Sequence, residues 1–117
     1  MNALGIMPRA IRQAVINEMV KVAGDDGQFF LVVFNGEHFA RGVNEFYRTV
    51  PHLCGPVGDA DVNLATKELN VASTGYYSHW FMYDEVVEML ETAGLRDYRI
   101  ERHGVGLFVT NPPAERD

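Results

Sequence analysis

Residues 29–34 read Phe29-Phe30-Leu31-Val32-Val33-Phe34, an apolar stretch with no polar residue alternating through it. Such a run is typical of a strand buried on both faces, as in a parallel sheet that lies between layers of helices. A turn signal, Gly24-Asp25-Asp26-Gly27, comes just before it, and Asn35-Gly36 marks its exit. The sequence therefore predicts one buried strand of the parallel type, although no parallel neighbour is visible along the chain.

Three segments around this strand show helical periodicity. Pro8 opens the first, and its predicted buried face comprises Ile11, Val15, Met19 and Val22. The second is predicted to bury Phe39, Val43, Phe46, Tyr47 and Val50 and to stop at Pro51. The third runs from Asp84 to Ala93, is predicted to bury Val86, Val87, Leu90 and Ala93, and ends at Gly94.

The remaining segments predict loops and short strands. Residues 51–63 predict a loop, and residues 64–81 predict two short strands or an irregular excursion around Ser73-Thr74-Gly75. Strand-like runs at 98–102 and 107–110 flank a glycine-containing turn and predict an antiparallel hairpin. Together these elements predict an α/β or α+β domain over residues 1–111, with three helices, one buried strand and a C-terminal hairpin. A polar, frayed tail is expected at 112–117.

The composition argues against several classes of function. The net charge is −6 and no cluster of Lys or Arg exists, which disfavours binding to nucleic-acid phosphates or to a membrane surface. Cys54 is the single cysteine, so neither an intrachain disulfide nor a multi-cysteine metal site can form, and the histidines and acids lack metal-ligand spacing. Because no signal peptide and no apolar run of about 18 residues is present, the sequence predicts a soluble, cytoplasmic protein.

Several short strings, taken in order, resemble a known family. They are Met1-Asn2-Ala3-Leu4-Gly5, Glu18-Met19-Val20-Lys21-Val22 with the turn at 24–27, Phe29 to Asn35, Gly75-Tyr76-Tyr77-Ser78-His79-Trp80-Phe81, and Glu91-Thr92-Ala93-Gly94-Leu95. With the closing hairpin, they resemble the C-terminal half of a class I, Rossmann-like S-adenosylmethionine-dependent methyltransferase. In that family the hairpin contains a reversed final strand. The resemblance covers nearly the whole chain and implies the half of the fold that binds the methyl acceptor.

The cofactor-binding features of that family have no counterpart in this chain. The family binds S-adenosylmethionine with a glycine-rich turn after its first strand and an acidic residue after its second. The single G-x-G here, Gly104-Val105-Gly106, continues into strand-forming residues and predicts a hairpin turn. The resemblance therefore implies S-adenosylmethionine as the cofactor but assigns no cofactor-binding residue, so binding would need a complementary chain or a further N-terminal segment.

The resemblance implies acceptor-facing positions at Asn2, Asn35, Glu37, His38 and Phe39. His38 could act as a base or orient an acceptor, and it could equally be a polar residue at the start of a helix. Asn35 or Glu37 could cap that helix instead of binding a ligand. No catalytic residue is assigned, and Cys54 has no base partner in the sequence.

A dense aromatic cluster supplies the other candidate site residues. It comprises Tyr76, Tyr77, His79, Trp80 and Phe81, of which Tyr77, His79 and Trp80 are the predicted acceptor contacts. Rings at the mouth of a pocket could enclose an apolar or cationic small molecule. A short run of large aromatic residues could equally belong to the core.

Three functions remain open at this point: a methyltransferase half, a non-catalytic binding or interaction module of that fold, and an unrelated α+β enzyme. An uncharged strand such as 29–34 invites pairing if it lies at a sheet edge. The sequence therefore predicts a partner strand, supplied by a homodimer or by a complementary cofactor-binding chain.

Overall fold

The computed structural model of the chain describes residues 3–23 and 28–111. Within them the α-helices are α1 (Arg9–Ala23), α2 (Phe39–Glu45), α3 (Pro51–Cys54) and α4 (Tyr83–Thr92). The strands are β1 (Phe30–Phe34), β2 (Val62–Asn63), β3 (Glu68–Val71), β4 (Tyr76–His79), β5 (Arg99–His103) and β6 (Gly106–Thr110). Short 3-10 helices occupy Leu4–Ile6, Gly36–His38, Tyr47–Thr49 and Asp59–Asp61. The predicted turn at 24–27, the candidate Asn2 and the predicted tail at 112–117 lie outside the described residues.

The mixed α/β class is confirmed, although the described residues contain four α-helices instead of three. The strands form two antiparallel three-stranded sheets, with orders β1-β6-β5 and β2-β3-β4. The fourth helix, α3, arises because Pro51 begins a short helix where the sequence predicted only the end of one. The predicted second helix stops early, at Glu45, and a 3-10 turn follows it.

The prediction of a strand buried on both faces was wrong. β1 pairs antiparallel with β6, from Phe30 opposite Thr110 to Phe34 opposite Gly106. Its burial alternates, with Leu31 and Val33 buried while the side chain of Phe30 is 61% exposed. The reason is that α1 and α4 cover one face of this sheet, so only alternate residues reach the core.

The first core lies between that sheet face and the two long helices. It is formed by buried residues of both layers: Leu4, Ile16, Phe29, Leu31, Val33, Phe81, Val86, Leu90, Leu107 and Val109. The predicted buried face of α1 was wrong, because α1 buries Arg12 and Ile16 while Ile11 and Val22 are 46% and 81% exposed. Burial of Arg12 is possible because its Nε donates to the Met7 carbonyl at 3.1 Å and its Nη2 donates to the Tyr77 hydroxyl.

The second core lies between α2 and the second sheet. It contains Phe39, Val43, Tyr47, Cys54, Leu69, Val71 and Trp80. The predicted pair of short strands within 64–81 is confirmed as the antiparallel β3–β4 hairpin. The two sheets meet at a single parallel bridge between Asn35 and Phe81, where the Phe81 N–H donates to the Phe34 carbonyl at 2.8 Å.

The third predicted helix and the closing hairpin are confirmed, although Val87 and Ala93, predicted on the buried side of that helix, are only partly buried. Helix α4 buries Val86 and Leu90, and Gly94 follows it at φ +91°, a conformation that favours glycine. β5 and β6 form the predicted antiparallel hairpin, turning at Gly104 with φ +57°. Across residues 3–23 and 28–111, no helix has the length and apolar character required to span a bilayer.

Candidate functional site

A cleft of about 330 Å³ lies where β1 ends and α2 begins. Its lining residues come from four segments of the fold: Phe34, His38, Arg41, Gly42, Glu45, Phe46, Trp80 and Val105. This volume falls at the small end of the range of about 300–1,000 Å³ that is typical of ligand sites. The cleft is therefore large enough for a small organic molecule.

The wall of the cleft is aromatic and held in place by hydrogen bonds behind it. The Phe34 and Trp80 rings lie 4.8 Å apart between centroids, at a tilted angle. The Trp80 Nε1–H donates to the Tyr47 hydroxyl at 3.1 Å, and that hydroxyl shares a second hydrogen bond of 3.0 Å with the Ser78 hydroxyl. Because this indole is 3% exposed and its one polar atom is bonded, its position is fixed before any ligand arrives.

The rim of the cleft supplies polar groups. Arg41 and Glu45 stand one helical turn apart on α2 and form an exposed ion pair, with Nε 3.3 Å from Oε2. His38, half-buried, precedes them on the 3-10 turn that enters α2. An apolar wall with a few polar groups at its edge favours a ligand that has an aromatic or aliphatic body and a polar end.

Two of the sequence candidates, His38 and Trp80, line this cleft. Phe39 is fully buried in the second core, where its ring packs edge-on against Trp80 at 6.0 Å between centroids. Asn35 is also fully buried, and its Oδ1 accepts a hydrogen bond from the Glu37 N–H at 3.0 Å. Asn35 thus caps the turn that leads into α2, as one of the two readings of the sequence expected.

Tyr77 and His79 lie on the opposite face of the second sheet from Trp80. Successive residues of a strand point to opposite faces, which splits the aromatic cluster of the sequence between two sides. The Tyr77 hydroxyl donates to Glu68 Oε2 at 2.5 Å and accepts from Arg12. His79 Nε2 lies 2.8 Å from Glu85 Oε2, at the first turn of α4.

The hydrogen bonds on this face of the second sheet change the pKa values of Glu68 and Tyr77. The Tyr77 hydrogen bond, above all, lowers the pKa of the Glu68 carboxyl, since it stabilises the charged form. The pKa of Tyr77 is raised mainly because the side chain is buried, and its hydrogen bond to Glu68 raises that pKa further. The cluster of Arg12, Tyr77 and Glu68 joins α1 to the second sheet, and none of its residues lines the cleft.

Most cleft residues were missed by sequence reasoning. Phe34 was assigned to a buried strand, Phe46 to the buried face of a helix, and Val105 to a turn, while Arg41, Gly42 and Glu45 were not singled out. No local signal links these residues, because the fold brings them together from segments up to 71 positions apart in the sequence. Of the cleft residues, the sequence had pointed only to His38 and, through the aromatic cluster, to Trp80.

The Cys54 thiol is buried in the second core, where its Sγ lies 3.3 Å from the Gly55 carbonyl and 3.5 Å from the Tyr47 carbonyl. In the part of the chain that the structure describes, no group of three or more His, Cys, Asp or Glu side chains could hold a metal ion.

The described residues do not fit S-adenosylmethionine by themselves. The G-x-G string, Gly104 to Gly106, is the turn between β5 and β6, with a strand on either side and no helix after it. The backbone amides of a helix N-terminus, which cradle such a cofactor in dinucleotide-type folds, are therefore not available there. In comparisons with known proteins, no family model, no curated protein and no solved structure matches this chain.

Proposed function

We propose that this chain is the acceptor-binding part of a methyltransferase-like protein and that it holds a small, largely apolar, aromatic molecule in the cleft beside Trp80. The observation that carries this proposal is the cleft itself, with its fixed aromatic wall and polar rim at the end of β1. The resemblance places the acceptor at this point, after the strand that it matches to residues 29–35. Methyl transfer depends chiefly on alignment of the acceptor with the methyl donor, so a rigid wall would contribute directly.

The order of the first sheet supports the same proposal. β1 and β5 each pair antiparallel with β6, so β1 and β5 run parallel to each other with the last strand reversed between them. In the methyltransferase fold, the final strand is likewise reversed within a sheet whose other strands are parallel. The closing hairpin of the sequence had suggested this feature.

A second candidate is a small-ligand-binding module of the same fold that performs no catalysis. It is favoured by the lack of a cofactor cradle among the described residues, since the cleft can bind a molecule without any methyl donor. In this case S-adenosylmethionine would have no role in the function of the chain.

The cleft can be tested with the intrinsic fluorescence of Trp80, because the chain has one tryptophan and it lines the site. We would titrate the protein with benzyl alcohol, phenol, benzoate and benzylamine, which share an aromatic body and differ in their polar end. We expect saturable quenching or a spectral shift with at least one probe. Comparison of the affinities for benzoate and benzylamine then shows whether Arg41 or Glu45 selects the charge of the ligand. No saturable change with any of the probes would contradict the proposal.

Two matched variants separate the cleft from the rest of the surface. Phe46→Ala removes an exposed ring from the cleft, whereas Leu53→Ala removes a similarly exposed apolar side chain from α3, away from it. We expect Phe46→Ala to weaken binding of the best probe by about tenfold, which corresponds to roughly 1.4 kcal/mol. Leu53→Ala should leave that affinity unchanged.

Calorimetric titration with S-adenosylhomocysteine then separates the two candidate functions. Binding by the chain, alone or after a cleft probe is bound, would favour the methyltransferase proposal. Binding of an aromatic probe without any binding of S-adenosylhomocysteine would favour the module or a partner-dependent subunit.

A further inference from the structure

Two polar groups that line the cleft are already bonded within the fold. The Trp80 Nε1–H donates to the Tyr47 hydroxyl at 3.1 Å, and the Val105 carbonyl accepts the Asn35 N–H at 2.7 Å. Buried polar groups need such partners, and these two have found theirs inside the protein. They therefore shape the cleft, and the hydrogen bonds that orient a ligand must come from the remaining polar groups at the rim.

The two charged side chains of the rim neutralise each other. The Arg41 Nε lies 3.3 Å from Glu45 Oε2, and the two side chains are 65% and 66% exposed. Water screens an ion pair at such a site, so each charge acts only weakly on its surroundings. A charged ligand of either sign would meet one attractive and one repulsive group here. This balance favours a ligand whose polar end is neutral.

His38 is a polar group of a different kind. Its half-buried side chain lines the cleft from the 3-10 turn between β1 and α2. In the part of the chain that the structure describes, no hydrogen bond, ion pair or ring contact engages its imidazole. The turn itself is fixed, because Asn35 accepts the Glu37 N–H at 3.0 Å and the Gly36 N–H donates to the Phe81 carbonyl at 2.8 Å. The imidazole is therefore held beside the cleft with its hydrogen-bonding capacity unused.

The chemistry of imidazole indicates which neutral group it would bind. In its neutral form the ring has one N–H donor and one nitrogen acceptor. A hydroxyl both donates and accepts, so it can bond either nitrogen of His38, whereas an ether or carbonyl oxygen can only accept. Because His38 is half-buried, a ligand hydroxyl there competes with less water than it would beside the exposed Arg41 and Glu45.

We propose that His38 binds the polar end of the ligand and that this ligand is a neutral aromatic hydroxyl compound, a phenol or an aryl alcohol. Since this assigns the molecule held beside Trp80, it rests on the proposed function, and it applies equally to catalysis and to binding alone. Phe34 and Phe46 would contact the ring of the ligand. One hydrogen bond to His38 would fix the orientation of a ring that the apolar wall alone leaves free to turn.

Phenol and anisole form the matched pair of probes, because they share the ring and the oxygen but only phenol has a hydroxyl hydrogen. Titrations followed by Trp80 fluorescence compare the wild type with His38→Leu. We expect the preference for phenol over anisole to fall by about fivefold in His38→Leu, the size of one net hydrogen bond. His52→Leu is the control, since His52 is exposed on α3 and does not line the cleft, and it should leave both affinities unchanged.

The outcomes separate this inference from the proposed function. An equal loss of phenol and anisole affinity in His38→Leu would show that His38 only shapes the cleft, and it would overturn the inference. An unchanged preference for phenol would overturn it as well. In both cases the wild type still binds an aromatic probe, so the proposed function stands. Failure of every probe to bind the wild type would overturn the proposed function and the inference together.

Two further measurements test the neutral hydroxyl directly. Among benzyl alcohol, benzoate and benzylamine, we expect benzyl alcohol to bind most tightly, and tighter binding of either charged probe would overturn the inference. In NMR spectra of the histidine rings, the His38 signals should shift with benzyl alcohol along the same saturation curve as the fluorescence, while those of His52 stay in place. An unshifted His38 ring at saturation would also overturn it.

Discussion

Gly42 of α2 packs so closely on Trp80 that a Cβ at this position would stand 2.3 Å from the indole Cη2 and 2.8 Å from Cζ2. Real Cβ atoms do not approach other atoms this closely. The absence of a side chain at Gly42 therefore lets the indole pack directly against α2 and form the wall of the cleft. One glycine thus links the packing of the second core to the shape of the candidate site.

Replacing Gly42 with alanine should displace the indole. The new methyl group meets a rigid, buried ring, and overpacking of this kind costs about 1–3 kcal/mol of the free energy of unfolding. Urea denaturation followed by Trp80 fluorescence would measure the loss, and the native emission should shift as the ring moves. Gly58→Ala is the control, because its Cβ would meet nothing closer than 3.5 Å and its φ of −93° suits alanine. Equal stability of the two variants would contradict this account.

The hydroxyl of Tyr47 is the second support of the cleft wall. It accepts the Trp80 Nε1–H at 3.1 Å and bonds the Ser78 hydroxyl at 3.0 Å, and all three side chains are buried. Tyr47→Phe keeps the ring but leaves the indole N–H without its partner, so we expect a loss of roughly 1–3 kcal/mol in the free energy of unfolding. Tyr98→Phe also removes one hydroxyl, but that group bonds Glu91 at an exposed site and its loss should be small. Chemical denaturation of both variants makes the comparison.

Local sequence signals predicted the elements whose determinants are local. Helix α4 depends on an amphipathic repeat and on Gly94 at its end, and the β5–β6 hairpin depends on Gly104 in its turn. All of these features are visible in the sequence. The buried face of α1 was mispredicted because two apolar stripes run along that helix and only one of them packs against the core. Arg12 enters the core only because the Met7 carbonyl and the Tyr77 hydroxyl satisfy it, and Tyr77 lies 65 positions along the chain.

The cleft could not be derived from the sequence for a similar reason. Phe34 reaches it because β1 is covered on one face only, so a residue expected in the core points outward beside Trp80. Val105 reaches it because the β5–β6 turn folds back to the end of β1, where it accepts a hydrogen bond from Asn35. Both placements follow from the pairing of distant strands, which local periodicity does not encode.

The Glu68 carboxyl should make the stability of the fold sensitive to acid. Its pKa is lowered in the folded state, first by the Tyr77 hydrogen bond, from an ordinary value of 4.5. A lowered pKa means that the folded state releases this proton more readily than the unfolded state. The stabilisation is therefore complete above pH 4.5 and is lost as the pH falls through the folded-state value.

Glu68→Gln tests that sign. The variant should lose stability relative to the wild type at neutral pH, and the difference should shrink as the pH falls below 4.5. Denaturation with urea at a series of pH values measures it, with both proteins in the same buffers. A difference that stays constant with pH would show that Glu68 acts only through packing.

Tyr76 should make the fold sensitive to alkali. Burial in the second core, beside Tyr47 at 5.9 Å between ring centroids, raises the pKa of Tyr76 from 10.0 to about 12. The folded state thus holds this proton more tightly than the unfolded state does, so the stabilisation is fully present below pH 10.0 and is lost as the pH rises toward 12. Tyr76→Phe cannot ionise, and over this range it should lose roughly 1–2 kcal/mol less stability than the wild type. Urea denaturation at pH 7 and across the alkaline range measures the difference, and parallel curves for the two proteins would contradict the assignment.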